Sequence, residues 1–161
     1  MIYVTVGTMF MDFPRLINAV DKIALETGEK VIVQRGMGET IPQHCEHFTF
    51  KPRADVLDIQ REARVIVAHA GIGCAIDALT EKRPLIVVPR RKALNEHMDD
   101  HQLQIAQAID KRRWGRMVAD VANLAAAVAD PPPVPEEYRT SSHRLDWAVR
   151  DAVDRVAARK R

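Results

Sequence analysis

Aromatic residues are scarce in this sequence: at 5% of 161 positions they leave little with which to stack nucleic-acid bases. No large charge of one sign is present either. The 24 Lys and Arg set against 22 Asp and Glu leave +2, too small an excess for the footprint of a nucleic-acid binder, so no nucleic acid is expected as partner. Cysteine occurs only as Cys45 and Cys74, which is no disulfide framework and suits the cytoplasm. Long apolar runs are missing. The longest nearly apolar stretch, 65–76, contains His69 and falls far short of the roughly 20 residues that cross a bilayer. The start of the chain does not read as a signal peptide, because no basic segment precedes its apolar residues and Asp12 closes them early. Such a chain works at a membrane only if something else brings it there. No internal repeat is visible. What remains is a globular composition, 47% hydrophobic and 29% charged, in a length that suits one domain.

The β-branched run Ile2–Val6 predicts a buried strand ending at Gly7. Pro14 opens a helix with Leu16, Ile17, Val20, Ile23 and Ala24 on one face, and Gly28 closes it. Further strands are expected at 30–34, 48–50, 65–68 and 85–88, and helices at 53–64, from the glycine turn at 71–73 to Leu79, and at 97–109. Asp120 is expected to cap another helix ending near Ala129. This order implies an α/β, Rossmann-like fold: a mostly parallel sheet with helices on both faces. The boundary is placed after residue 130, where the prolines at 131, 132, 133 and 135 form a stiff spacer. Beyond it, Ser141 and Ser142 introduce a C-terminal amphipathic helix over the rest of 131–161. Its apolar stripe is Leu145, Val149, Ala152, Val153 and Val156, suited either to packing on the domain or to docking a partner.

In an open parallel sheet, ligands bind beyond the carboxyl ends of the strands. Four such ends carry unusual residues: Gly7-Thr8, Arg35-Gly36, the turn His69-Ala70-Gly71-Ile72-Gly73, and Arg90 onward. The glycine turn lets backbone approach a ligand, and the following helix aims free amides and its positive dipole end at the same space, which favours a pyrophosphate. A turn made only for packing fits the same residues. Neither G-x-G-x-x-G nor the P-loop motif is present, and no G-x-S-x-G marks a nucleophile. Asp77, one turn into that helix, can accept from both hydroxyls of a ribose, or can serve as a cap or solvated carboxylate. His97 and His101 at i, i+4 admit a metal, an exposed helix start, or hydrogen bonding to sugar and phosphate. The Asp, His and Gln of 95–102 supply what a hydroxylated ligand requires. Cys74 reads as a small packing residue.

Taken in order, Val4–Thr8, Phe13–Leu16, Val31–Gln34, His69–Gly73, Pro84–Arg90 and Asn95–Gln102 resemble glycosyltransferase family 28, in its donor-binding C-terminal half. The likeness covers about residues 2–110. It extends to the stand-alone PssE-type subunits of bacterial exopolysaccharide synthesis and to the soluble subunit of the two-part eukaryotic enzyme that adds the second N-acetylglucosamine to dolichol-linked oligosaccharide. The resemblance implies one half of a GT-B fold, a UDP-sugar donor and inversion at the anomeric carbon, with no cofactor and no required metal. It implies that Gly7 and Thr8 form the first glycine loop and that the uracil contact falls on backbone near Arg53. By the same resemblance Gly71, Ile72 and Gly73 are expected to face the phosphates, Asp77 to meet the ribose, and His101 and Gln102, with Asp99 beside them, to meet the donor sugar. Arg90 would stabilise charge on the departing UDP. Glu96 and His97 stand as candidates to reach the donor phosphates or the acceptor hydroxyl, and the general base is unknown. A membrane-anchored partner would supply the acceptor half and a lipid-linked acceptor, holding the chain at the cytoplasmic face of the membrane. The other reading is a non-catalytic UDP-sugar-binding scaffold or regulatory subunit. Self-association is left open.

Overall fold

Ile-Tyr-Val-Thr at the start of the chain forms β1 (Ile2–Thr5), with every residue buried. The computed structural model describes residues 1–136; the expected C-terminal helix with Leu145, Val149, Ala152, Val153 and Val156 lies outside the described residues. After β1 come α1 (Pro14–Thr27), β2 (Val31–Gln34), β3 (Glu46–Phe48), α2 (Arg53–Glu62), β4 (Val65–Ala68), α3 (Ile72–Thr80), β5 (Leu85–Val87), α4 (His101–Lys111), β6 (Arg116–Met117) and α5 (Leu124–Ala129). Short 3-10 turns occupy Lys92–Leu94 and Val121–Asn123.

The strands form a single sheet in the order β3-β2-β1-β4-β5-β6. Every pairing is parallel, with β1 held between β2 (Val4 opposite Val33) and β4 (Val4 opposite Val67). The two-residue side-chain period of a strand divides the core into two layers. Ile2, Val4, Val33 and Val67 pack against Leu16, Ile17 and Val20 of α1 and Leu124 and Val128 of α5. Tyr3, Ile66 and Val87 point the other way, onto Ala75, Ala78 and Leu79 of α3 and Ile105, Ala106 and Ile109 of α4. Burying each large aliphatic side chain contributes about 1.5–3 kcal/mol, so these two layers carry the fold.

Three expected elements sit differently. The third strand is 46–48 rather than 48–50, since Phe48 is already paired with Gln34 and Phe50 is exposed. The helix expected from His97 begins at His101. Its start is fixed by Asp99, whose Oδ1 accepts from His101 N at 3.0 Å, after the chain has turned at Asn95 in a left-handed conformation (φ 55). Asp120 does act as a cap, accepting from Ala122 N, but of a 3-10 turn that leads into α5. Among the described residues no helix is long and apolar enough to cross a membrane.

Candidate functional site

The chain runs outward from β1 to β2 and β3, then returns to β4 on β1's other side. Beyond the carboxyl ends of β1 and β4 this reversal opens a crevice, the general place for a ligand in such sheets. Gly7 follows β1 in a left-handed conformation (φ 80), and the turn His69–Gly71 follows β4. The His69 ring lies between them: a Cβ on Gly7 would meet its Cε1 at 2.8 Å and its Nε2 at 2.9 Å, and a Cβ on Gly71 would collide with the same edge. Its Nδ1 rests 3.2 Å from the Thr5 carbonyl oxygen. In the neutral ring that contact places the proton on Nδ1, because a carbonyl can only accept. Burial, with smaller contributions from the charges of Arg90 and His97, pushes the His69 pKa down to about 4.

Ala70 adopts a left-handed φ of 66 to turn the chain, and Gly71 stands at the N-cap of α3. No side chain caps this helix and its first turn holds no acidic residue. The leading amides, those of Ile72, Gly73 and Cys74, therefore have no intrahelical acceptor, and the positive end of the helix dipole faces outward. Gly73 is exposed, and a Cβ placed on it would meet nothing within 4 Å outside its own helix, so the first turn of α3 borders open space. Cys74 has its thiol pushed up to about 11, burial being the main cause, and its Sγ lies 4.0 Å from Thr5 Oγ1; it packs rather than reacts.

The other expected site residues separate into those that face this space and those that do not. Arg53 and Asp77 meet: Arg53 Nη2 donates to Asp77 Oδ1 at 2.6 Å across α2 and α3. Thr8 is exposed beside Gly7. Arg90 corrects the expectation of a leaving-group contact. It is fully buried, stacks on Phe13 at 4.7 Å, and its guanidinium donates to three carbonyls, those of Asp12, Glu96 and Val6. Removal from water lowers its pKa to about 10. It ties the loop after β1 to its own loop after β5, and its Nε, left without a partner, is itself buried.

Glu96 is likewise buried and hydrogen-bonded within the chain. Arg15 grips it twice, Nε to Oε1 and Nη2 to Oε2, each at 2.8 Å, and Arg91 N donates to Oε2 at 3.0 Å. His97 Nδ1 accepts from Asp99 N at 3.2 Å and lies 3.0 Å from Asp99 Oδ1. Since α4 begins only at His101, His97 and His101 do not share a helical face, and among the described residues no three metal-ligating side chains gather. Asp99 and Gln102 are also engaged by backbone: Asp99 Oδ1 accepts from His101 N, and Gln102 Oε1 accepts from Arg90 N at 3.3 Å.

Two features carry no sequence signal of their own. Among the described residues, six of the seven exposed large hydrophobic residues, Phe10, Met37, Ile41, Phe50, Leu94 and Met98, lie on loops at the carboxyl edge, with only Leu25 elsewhere. These loops are pinned to one another, Asp12 accepting from both Thr40 N and Thr40 Oγ1. An apolar cavity of about 470 Å³ lies between α1 and residues 120–125, but it shares no lining residue with the glycine turn.

Comparison with known proteins places these features in context. The model of the "Glycosyltransferase family 28 C-terminal domain" matches residues 1–156. The human "UDP-N-acetylglucosamine transferase subunit ALG13" is 30% identical over 119 residues, 68% of this chain and 10% of that protein. The subunit of the same name from Eremothecium gossypii is 38% identical over 84 residues, 51% of this chain and 38% of that protein. The present chain thus spans a minor part of these relatives. Among solved structures, an NMR structure of ALG13 superposes with a TM-score of 0.62 at 21% identity, covering 97% of this chain and 96% of that one. The calicheamicin glycosyltransferase CalG4 gives 0.63 at 16% identity, covering 98% of this chain but 41% of that one.

Proposed function

The chain belongs to the glycosyltransferase family 28 C-terminal domain family, and from that premise we propose that it is the donor-binding subunit of a two-part inverting glycosyltransferase. It binds a UDP-sugar and transfers the sugar to a lipid-linked acceptor, in exopolysaccharide or glycolipid biosynthesis. The observation that carries this reading is the uncapped start of α3 under open space, at the crevice between β1 and β4. Amides of Ile72, Gly73 and Cys74 receive the diphosphate. Their hydrogen bonds strengthen as negative charge gathers on the departing UDP, which is the differential stabilisation that accelerates transfer.

The acceptor half and the general base come from a membrane-anchored partner at the cytoplasmic face. Two observations support this. The candidate bases of the chain, Glu96 and His97, are held by Arg15 and Asp99. Among the described residues the exposed apolar side chains, Leu25 apart, lie on loops at the carboxyl edge of the sheet, as they would where a second body closes on that edge. Neither a cofactor nor a metal is part of the proposal. The same tied-up carboxylate and imidazole also suit a non-catalytic UDP-sugar-binding scaffold, so the test must separate the two.

Calorimetric titration of the full chain with UDP tests the donor site, and a titration without heat or saturation removes the reading. UDP release from UDP-sugars is then followed with membrane lipid, with and without the co-expressed product of the adjacent gene. Release above hydrolysis only in the combined sample supports the enzyme; binding without release in either sample supports the scaffold.

A further inference from the structure

α1 is apolar on more than the face it buries. Leu16, Ile17, Val20, Ile23 and Ala24 fill the core, yet Leu25 beside them is 61% exposed. Among the described residues it is the one exposed large hydrophobic away from the carboxyl edge. Next to it opens the cavity of about 470 Å³ between α1 and residues 120–125. Ala19, Val121, Ala122 and Ala125 line this hollow with short side chains that leave the seam between the two segments unfilled. The α1 residues on its wall run from Arg15 to Glu26, about 16 Å of rise or about three turns. That length suits a second helix better than a small molecule.

The rim of the groove carries both signs of charge. Arg15 is turned to Glu96, which leaves Lys22 with Glu26 and Asp120. Lys22 and Glu26 hold each other only loosely, Nζ to Oε1 at 3.6 Å, with side chains 72% and 56% exposed. Such a pair is worth little in water, so both can exchange it for a better contact. A second copy of α1 supplies one. Laid antiparallel to the first and centred on Ala24, it sets each Lys22 opposite the other copy's Glu26 and the two Leu25 side chains side by side. A patch that matches itself in this way is what a two-fold interface requires. We propose that α1 and the groove beside it form a homodimer interface, with Leu25 at its apolar centre and Lys22–Glu26 pairs between copies. A strip one helix wide and about 16 Å long falls well short of the ~800 Å² per partner of a stable complex, so the dimer is weak and concentration-dependent. Leu25 lies in the last turn of α1, near the amino edge of the sheet where β2 begins, so pairing there leaves the carboxyl edge of both copies open. The inference does not rest on the UDP-sugar reading.

Sedimentation equilibrium of the full chain, from about 10 to about 500 µM, tests the proposal in the range of a weak complex. The average mass should rise from that of one chain toward that of two. Leu25→Glu should weaken association by about tenfold or more, because it buries a carboxylate where an apolar side chain stood. Lys22→Glu and Glu26→Lys should each weaken it several-fold by setting like charges face to face, and the double variant, which restores opposite charges between copies, should recover most of that loss. Circular dichroism and melting temperatures at low concentration show that the variants are folded. A chain that stays monomeric throughout overturns the proposal. So does a dimer that none of these substitutions weakens, since its interface then lies elsewhere. If residues 137–161 fill the groove instead, the chain stays monomeric and Leu25→Glu lowers its melting temperature, which overturns the proposal as well.

Discussion

The His69 ring occupies the place into which a side chain at Gly71 would project, although the Gly71 backbone, at φ −70 and ψ 134, would accept any residue. Glycine is required there by a neighbour and not by its own conformation. Gly71→Ala should therefore destabilise the wild type by about 1–3 kcal/mol through overpacking. In a His69→Ala background, where the ring is gone, the same change should have little effect. Denaturant unfolding of the four proteins measures the coupling. Additive losses would mean that the turn rejects a side chain for some other reason.

Much of the fold could be read directly. The helix from Pro14 to Gly28 was legible because proline, the apolar spacing and the terminal glycine agree with one another, and each strand of the centre is a β-branched run. β6 was not legible, since two residues, Arg116 and Met117, make no pattern, and they pair only because β5 lies beside them. The amide turn and its open space could be anticipated from Gly71 and Gly73. The roles of Arg90 and Glu96 could not. Both are charged residues in a polar-looking loop, and what engages them is remote in sequence: Arg15 is 81 residues from Glu96, and Val6 is 84 from Arg90. His69 was visible, but nothing local shows that it fills the gap left by two glycines.

Glu96 holds a mostly buried ion pair, and removing one partner of such a pair leaves the other charge stranded. Glu96→Ala should lower the unfolding free energy by about 3 kcal/mol and leave the affinity for UDP within about twofold. Chemical denaturation and calorimetry read the two quantities. A variant with unchanged stability that has lost turnover in the presence of its partner would instead make Glu96 a catalytic group.

Acid should weaken the fold through His69. Its folded pKa of about 4 lies below the value of 6.5 for a free imidazole, so between these pH values the unfolded chain binds the proton and the native chain does not. Stability therefore rises with pH across that window. It is fully present above pH 6.5 and falls as the pH drops toward 4, by about 3 kcal/mol in all. Asp99, held below the ordinary carboxylate range by the His101 amide, and Glu29, held there by Arg64, lose their contributions at still lower pH. His69→Asn, which keeps a donor near the Thr5 carbonyl and cannot titrate, should flatten the dependence of melting temperature between pH 6.5 and 4.5. An equally steep curve in that variant would assign the proton to another group.

Gly73 separates ligand binding from folding. It lies inside the first turn of α3, where valine is a better helix former than glycine by a few tenths of a kcal/mol, and nothing outside its own helix lies within 4 Å of its added Cβ. Gly73→Val should leave the melting temperature unchanged or slightly raised. Its isopropyl group would stand in the space over the amides of Ile72, Gly73 and Cys74, where a diphosphate must approach the backbone closely. UDP affinity should then fall about tenfold or more, while the fold, followed by circular dichroism, is retained. The combination matters more than either half. Weak binding with lowered stability would say only that the helix is damaged. Unchanged binding with unchanged stability would place the diphosphate somewhere other than the start of α3.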